Sequence, residues 1–420
     1  MPGPATQSPA PPPADVARIG MIDGLRGLFL ILMTTTHLTL AGGFFFKHLH
    51  PDTVSFIDAA YGFVFLSGLV VGLVYTKAML RQGLAAGAAR LRRRALEVYL
   101  HAVAVVAGLA LAAVAIPGFA QACADWLGPL ASPDWRALAA GVALLQEADY
   151  ADILQPYVFY MLAAPFALRA CLAGRWRTVL GVSVALWVVS QFGAAVPFTS
   201  ALREGMHAVR PDLRLPSEFN ILAWQLVFFP GLILGAQSAR GRLELDRWFC
   251  ATKPGLFIAS IAVAGACAVL TIVIHHAPAE LAAAIDTGLL ALTSKPRVGL
   301  ICLANFAAAA YGLTWLALAG PKAAFRWIQT LSNITQQVLS WSFLRLLGRH
   351  SLQVYVWHVA LVYAVLLLDT TAGPFNALVR HALVIGVFAL LAAPALLREQ
   401  LRGPRRRLAS QAAAPQPALH

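Results

Sequence analysis

The chain has little charge and even less acid. Only 12% of its 420 residues are Asp, Glu, Lys or Arg, with 19 acids against 32 bases, while 59% are hydrophobic. Mean hydropathy is +0.69. So little charge excludes a soluble globular enzyme and points to an all-α polytopic membrane protein. Cysteine is also scarce: there are five and no CxxC, which leaves no disulfide framework and no zinc site. No phosphate-cradling loop, nucleophile elbow or metal motif is present, so no bound cofactor and no metal is indicated. Neither a soluble domain nor a repeat of 20–50 residues is visible, and the N-terminus lacks the pattern of a cleavable signal. Residues 1–17, rich in proline, and 408–420 read as disordered tails around one transmembrane domain, 18–407.

What is present is a series of apolar runs. Ten can be read, at about 22–46, 59–79, 98–117, 153–171, 178–198, 219–237, 255–275, 298–320, 351–369 and 376–397. The net charge of +13 does not mark a nucleic-acid binder, because the basic residues cluster at the ends of these runs, where they set topology. A basic loop follows every even-numbered run. Lys77, Arg81, Arg90, Arg92, Arg93 and Arg94 lie after the second; Arg169, Arg175 and Arg177 after the fourth. Arg240, Arg242, Arg247 and Lys253 follow the sixth, Lys322 and Arg326 the eighth, and five arginines from Arg398 to Arg407 the tenth. This predicts about ten helices around a buried polar centre, both termini and the 77–97 loop in the cytoplasm. Two stretches are not simple spans. Residues 136–150 read as a short re-entrant or surface helix on the outer side, and 325–347 as an amphipathic helix on the cytoplasmic surface.

Polar residues inside the runs are the candidate site, since ionisable groups in a bilayer mark function by default. Arg26 and His37 are eleven residues apart in the first run, so a helix puts them about 20° apart in direction and about 16 Å apart in depth. Arg26 falls near one surface, where a functional role weighs equally with a structural one, a snorkelling anchor or an ion pair with Asp23. His37 falls near mid-membrane, where an interhelical hydrogen bond is the alternative to catalysis. His358, mid-span in the ninth run and eight residues past His350, has the same two readings. Glu147 and Asp152 open the fourth run; Asp152 suits orientation of a histidine or binding of a sugar hydroxyl, or is a helix N-terminal acid. Asn220 and Gln225 open the sixth, the first readable as an N-cap. Ser67, Gly68 and Gly72 form a small-residue packing seam in the second.

The stretches "DGLRGLFLILMTTTH", "FVFLSGLVVGLVY", "DILQPYVFYMLAAP", "FNILAWQLVFFPGLILG" and "LGRHSLQVYVWH", in that order, resemble OpgC, the membrane family that succinylates osmoregulated periplasmic glucans and is related to the acyltransferase-3 superfamily. Arg26 and His37 match that superfamily's Arg/Lys-x10-His pattern. The resemblance covers most of the chain and implies a ten-helix acyltransferase of the bacterial inner membrane. Its donor would be cytoplasmic acyl-CoA, with succinyl as the acyl group, and its acceptor a glucan on the periplasmic side. It would make His37 catalytic and Arg26 a donor contact. Arg90 and Arg93 join Arg26 as candidates for the CoA phosphates; Asp152 joins His37, with Glu147, Asn220, Gln225 and His358 supporting or binding acceptor. Many superfamily members carry an acid or amide before the histidine, where this chain has Thr36, so another group must orient the ring. Two rival readings remain: an O-acetyltransferase acting on another surface polysaccharide, and a glycan transporter or flippase with a histidine relay.

Overall fold

A computed structural model describes residues 14–49, 53, 55–146, 148–216 and 218–401. Its main helices, in chain order, are α1 (Ala14–His37), α2 (Ala59–Gln82), α3 (Leu84–Ala115), α4 (Leu154–Leu172), α5 (Trp176–Gln191), α6 (Val196–Val209) and α7 (Ile221–Ala239). Then come α8 (Gly255–His276), α9 (Ala279–Thr293), α10 (Leu300–Leu318), α11 (Arg326–Ser340), α12 (Ser342–Arg349), α13 (Ser351–Ala372) and α14 (Ala377–Leu390). No strand occurs among the described residues. Seven helices, α2, α3, α7, α8, α10, α13 and α14 with its continuation, are long and apolar enough to cross a membrane. The protein is an all-helical polytopic membrane protein. The other three predicted spans correspond to α1, α4 and α5. Of the predicted tails, residues 1–13 and 408–420 lie outside the described residues, as do 402–407, while residues 14–17 begin α1 and are helical instead.

Several predicted boundaries are corrected. The first apolar run is not one helix to residue 46: α1 stops at His37, and the chain turns through 38–44 into a 3-10 turn at Phe45–Leu49. Thr34, Thr35 and Thr36 precede that stop, each hydroxyl donating to the carbonyl four residues back. Such back-bonding strains a helix end, and Gly42 and Gly43 then take positive φ, 84° and 66°. The exposed backbone finds partners: Ala41 N–H donates to Asp369 at 2.8 Å, Arg380 to the Ala41 carbonyl at 3.0 Å, and Phe45 N–H to His381 at 3.1 Å. Irregular backbone at membrane depth is tolerated on those terms.

The predicted 77–97 loop is helical apart from Gly83, because "LAAGAARLRRRAL" consists almost entirely of strong helix formers. The fifth span ends at Gln191 and bends by 65° into α6. Residues 325–347 form two helices, not one, and α12 packs on α1. A Cβ at Gly27 would lie 2.0 Å from the Leu344 carbonyl oxygen, and one at Gly348 1.8 Å from that of Asp23. This amphipathic segment is therefore clamped to the helix that carries Arg26.

Close packing also organises the centre. Gly68 and Gly72 of α2 face the Phe228 and Leu232 carbonyls of α7, and Gly231 and Gly235 of α7 face those of Phe65 and Leu69. The seam read on α2 thus has a second GxxxG stripe opposite it. The same helix ends gather the basic residues: Arg240 donates to the Cys171 carbonyl, and Arg398 approaches Glu97 at 3.7 Å. At the other end, Asn220 N–H donates to the Pro296 carbonyl, and Lys295 approaches Asp58 at 3.9 Å. These are called below the arginine-rich end and the histidine end. A Gly68→Val change would drive a side chain into the backbone of α7 and is expected to cost at least about 1–3 kcal/mol. Gly265→Ala, with open space around its position, is the comparison. Thermal unfolding in detergent should separate the two, and equal unfolding temperatures would contradict the seam.

Candidate active site

Two parallel contacts join α1 to α13. Near the arginine-rich end, the buried Arg26 donates from Nη2 to Ser351 Oγ at 2.5 Å, and its guanidinium lies 6.0 Å from the centroid of Phe63. Eleven residues further along α1, His37 Nδ1 lies 3.0 Å from His358 Nε2. α1 climbs about 16 Å between the two contacts and α13 about 10 Å; the long arginine side chain spans the difference.

The tautomers follow from the partners. His358 Nδ1 faces the carbonyl oxygen of Tyr355, which can only accept, so that nitrogen carries the proton. The ring is fully buried and costly to charge in an apolar span, so its Nε2 accepts. His37 Nδ1 must then donate, and the lone pair of His37 falls on Nε2. Thus a second histidine orients the first, while the Thr36 hydroxyl donates to the Leu32 carbonyl of its own helix. The histidine pair, read separately as mid-span residues, is assembled at the end of α1.

Tyr150 covers the pair. Its ring centroid is 4.5 Å from that of His37, and its backbone takes a positive φ of 71°. For a non-glycine residue this stores about 1–3 kcal/mol and is concentrated at functional sites. The Tyr355 hydroxyl holds it by donating to the Tyr150 carbonyl at 2.6 Å. Tyr355 also borders a narrow cleft that runs toward the arginine-rich end, where Arg26, Arg94 and Ser351 line it. Arg26 lines the cleft, and its Nε is buried without a hydrogen-bond partner among the described residues.

The other sequence candidates are dispersed. Arg90 and Arg93 are exposed, Arg90 bonding Gln82 at 3.0 Å; it is Arg94 that lines the cleft. Asn220 caps α7 by accepting from Leu222 and Ala223 N–H. Gln225 binds α7 to α5, accepting from the Ser183 hydroxyl at 2.6 Å and donating to the Ser183 carbonyl at 2.7 Å. Glu147 lies outside the described residues. Asp152 sits in the turn ahead of α4, partly exposed yet ringed by protein. Burial, and the negative charges of Glu218, Asp149 and Asp58, push its carboxyl up to about 7. Sequence reasoning missed Tyr150, Ser351 and Tyr355, while Arg94 was reached only as part of the Arg90–Arg94 cluster. Only Tyr355 gave a signal, standing three residues before His358 on one helix face.

These contacts define a polytopic helical membrane protein with ionisable side chains gathered inside its bundle. Compared with known protein families, residues 18–403, nearly the whole chain, match the family described as OpgC protein, and the chain belongs to that family. No curated protein and no solved structure matches it.

The raised carboxyl of Asp152 has a signed consequence. The native state holds this proton more tightly than the unfolded chain, whose aspartates ionise near pH 3.9, so stability falls as pH rises from about 4 to about 7. Asp152→Asn is expected to raise the unfolding temperature at about pH 8, with the gain fading toward about pH 4. Unfolding scans across this range measure it; a pH-independent effect would contradict the buried-carboxyl origin.

Proposed function

We propose that the protein is an acyl-CoA-dependent O-acyltransferase of the bacterial inner membrane, moving an acyl group, succinyl by family, to hydroxyls of a periplasmic glucan. Both termini and the arginine-rich end face the cytoplasm in this reading, which the positive-inside pattern supports. Membership of the OpgC family supports the reaction class. The observation that carries the mechanism is the 3.0 Å approach of His37 Nδ1 to His358 Nε2; with Nδ1 as the donor, His37 Nε2 serves as the base in this reading.

CoA enters at the arginine-rich end. Its phosphates meet the exposed Arg90 and Arg93, and its pantetheine arm lies along the cleft past Arg94 and Arg26. The thioester then reaches the level of Tyr355 and His37. A glucan hydroxyl arrives from the histidine end, where Asp152 stands near the entry, and His37 Nε2 takes its proton as the oxygen attacks the thioester carbon. The C–O ester bond forms, the C–S bond breaks, and His37 returns the proton to the leaving thiolate. The products are acylated glucan and CoA. While the proton sits on His37, two features stabilise the cationic ring: its hydrogen bond to His358, and its place at the C-terminus of α1, where the macrodipole favours a cation.

The test uses purified protein in lipid nanodiscs with labelled succinyl-CoA and glucan, reading CoA release and label incorporation. His37→Gln is expected to lower transfer by about 10²–10⁴ while the protein stays folded. His358→Phe removes the acceptor for His37 Nδ1–H and should lower it less, with a displaced pH–rate profile. Near-normal turnover in His37→Gln contradicts the general-base role. Absence of CoA release by the wild type contradicts the transferase reading and favours a transporter; incorporation from acetyl-CoA alone makes the enzyme an O-acetyltransferase.

A further inference from the structure

The acceptor needs a seat at the histidine end, and the amides that seemed suited to provide it are engaged elsewhere: Asn220 in a helix cap and Gln225 in an interhelical bond. A different hollow has the required position and chemistry. It opens at the histidine end beside the turn that follows α1, and Thr39, Lys47, Trp126, Asp369 and Thr370 line it.

Its wall starts at Leu38, the residue after His37. A second route leads to the same ring: the Asp149 N–H donates to the Trp126 carbonyl at 3.0 Å, and the next residue, Tyr150, packs its ring on His37 at 4.5 Å. Trp126 is therefore tied to the segment that covers the histidine pair. The walls are also pre-formed. Asp369 holds Ala41 N–H at 2.8 Å, Arg380 holds the Ala41 and Phe375 carbonyls, each at 3.0 Å, and Tyr363 donates to the Trp126 carbonyl at 2.9 Å. Fixed walls lower the ordering cost of binding.

The lining matches a neutral polyol. An indole offers a flat apolar face to the C–H side of a pyranose ring. Around it stand an acceptor-only carboxylate, a donor-only ammonium, the Thr39 hydroxyl and the Thr370 hydroxyl, which gives its proton to the Leu366 carbonyl at 2.9 Å and so offers an acceptor, a mixture that pairs with sugar hydroxyls, themselves donors and acceptors. An acyl chain would leave these groups unpaired, and a polyanion would meet Asp369.

We propose that this hollow is the acceptor subsite, seating one pyranose unit of the glucan on Trp126 and presenting a neighbouring hydroxyl to His37. The assignment rests on the transferase reading for its purpose, but glucan binding is measurable without transfer. Binding of a neutral gluco-oligosaccharide to the full chain in nanodiscs, without acyl-CoA, is measured by calorimetry. Donor and glucan KM are then measured in the transfer assay. Lys47→Ala, Thr370→Ala and Trp126→Leu are expected to weaken oligosaccharide binding and to raise the glucan KM by about tenfold each, roughly the loss of one good contact. The donor KM should stay within about twofold. Lys47 and Thr370 are exposed, so their variants keep the test decisive if Trp126→Leu fails to fold. Wild-type glucan KM in Lys47→Ala and Thr370→Ala overturns the subsite and leaves the transferase reading standing. Oligosaccharide binding that these variants weaken, in a protein that transfers nothing, keeps the subsite and overturns the transferase reading. No oligosaccharide binding by the wild type overturns the subsite.

Discussion

A histidine inside an apolar bundle must place both ring nitrogens, and the bond from His37 Nδ1 to His358 Nε2 is how this protein meets that demand. One backbone carbonyl, that of Tyr355, starts the chain of constraint: it fixes the proton on His358, which fixes the proton on His37. Nothing in that chain requires a carboxylate. It does require α1 and α13 to keep their spacing, and the rest of the packing serves that. α12 is clamped to α1 through glycine contacts at Gly27 and Gly348, and the paired glycine stripes of α2 and α7 let those two helices close on each other at backbone distance.

The early end of α1 has a second effect. Had the helix continued through its apolar run, His37 would face a neighbouring helix in mid-span. Because it stops there, the chain turns away into 38–44, and the ring lies at a helix terminus, partly exposed and covered by Tyr150. The irregular segment is held by side chains of α13 and α14, Asp369 and Arg380. Those contacts also build the wall of the polar hollow beside it. One structural choice, three threonines followed by a glycine pair, thereby places the His37 ring at a helix end, against Tyr150 and His358.

Much of this was legible in the sequence. Periodicity located the helices, basic clusters sorted their ends, and the eleven-residue spacing put Arg26 and His37 on one face of one helix. Ser67-Gly68 with Gly72 identified a packing seam correctly. What stayed hidden was tertiary. The partner of His37 is 321 residues away, and no local pattern pairs them. Asn220 and Gln225 carry the residue types of a sugar site, yet a cap and an interhelical bond absorb them; only the neighbours reveal that. Apolar content alone could not show that α1 ends at His37, since hydropathy does not register a threonine side chain bonding back to its own helix.

The most direct test of the histidine pair is solid-state NMR of ¹⁵N-histidine-labelled protein in bilayers near neutral pH, with His37→Gln and His358→Phe used to assign the signals. The expected result is a His37 ring protonated at Nδ1 and bare at Nε2, with its Nδ1 coupled through a hydrogen bond to an unprotonated His358 Nε2. A His37 ring protonated at Nε2, or one with no coupling to His358, would contradict the arrangement on which the mechanism stands.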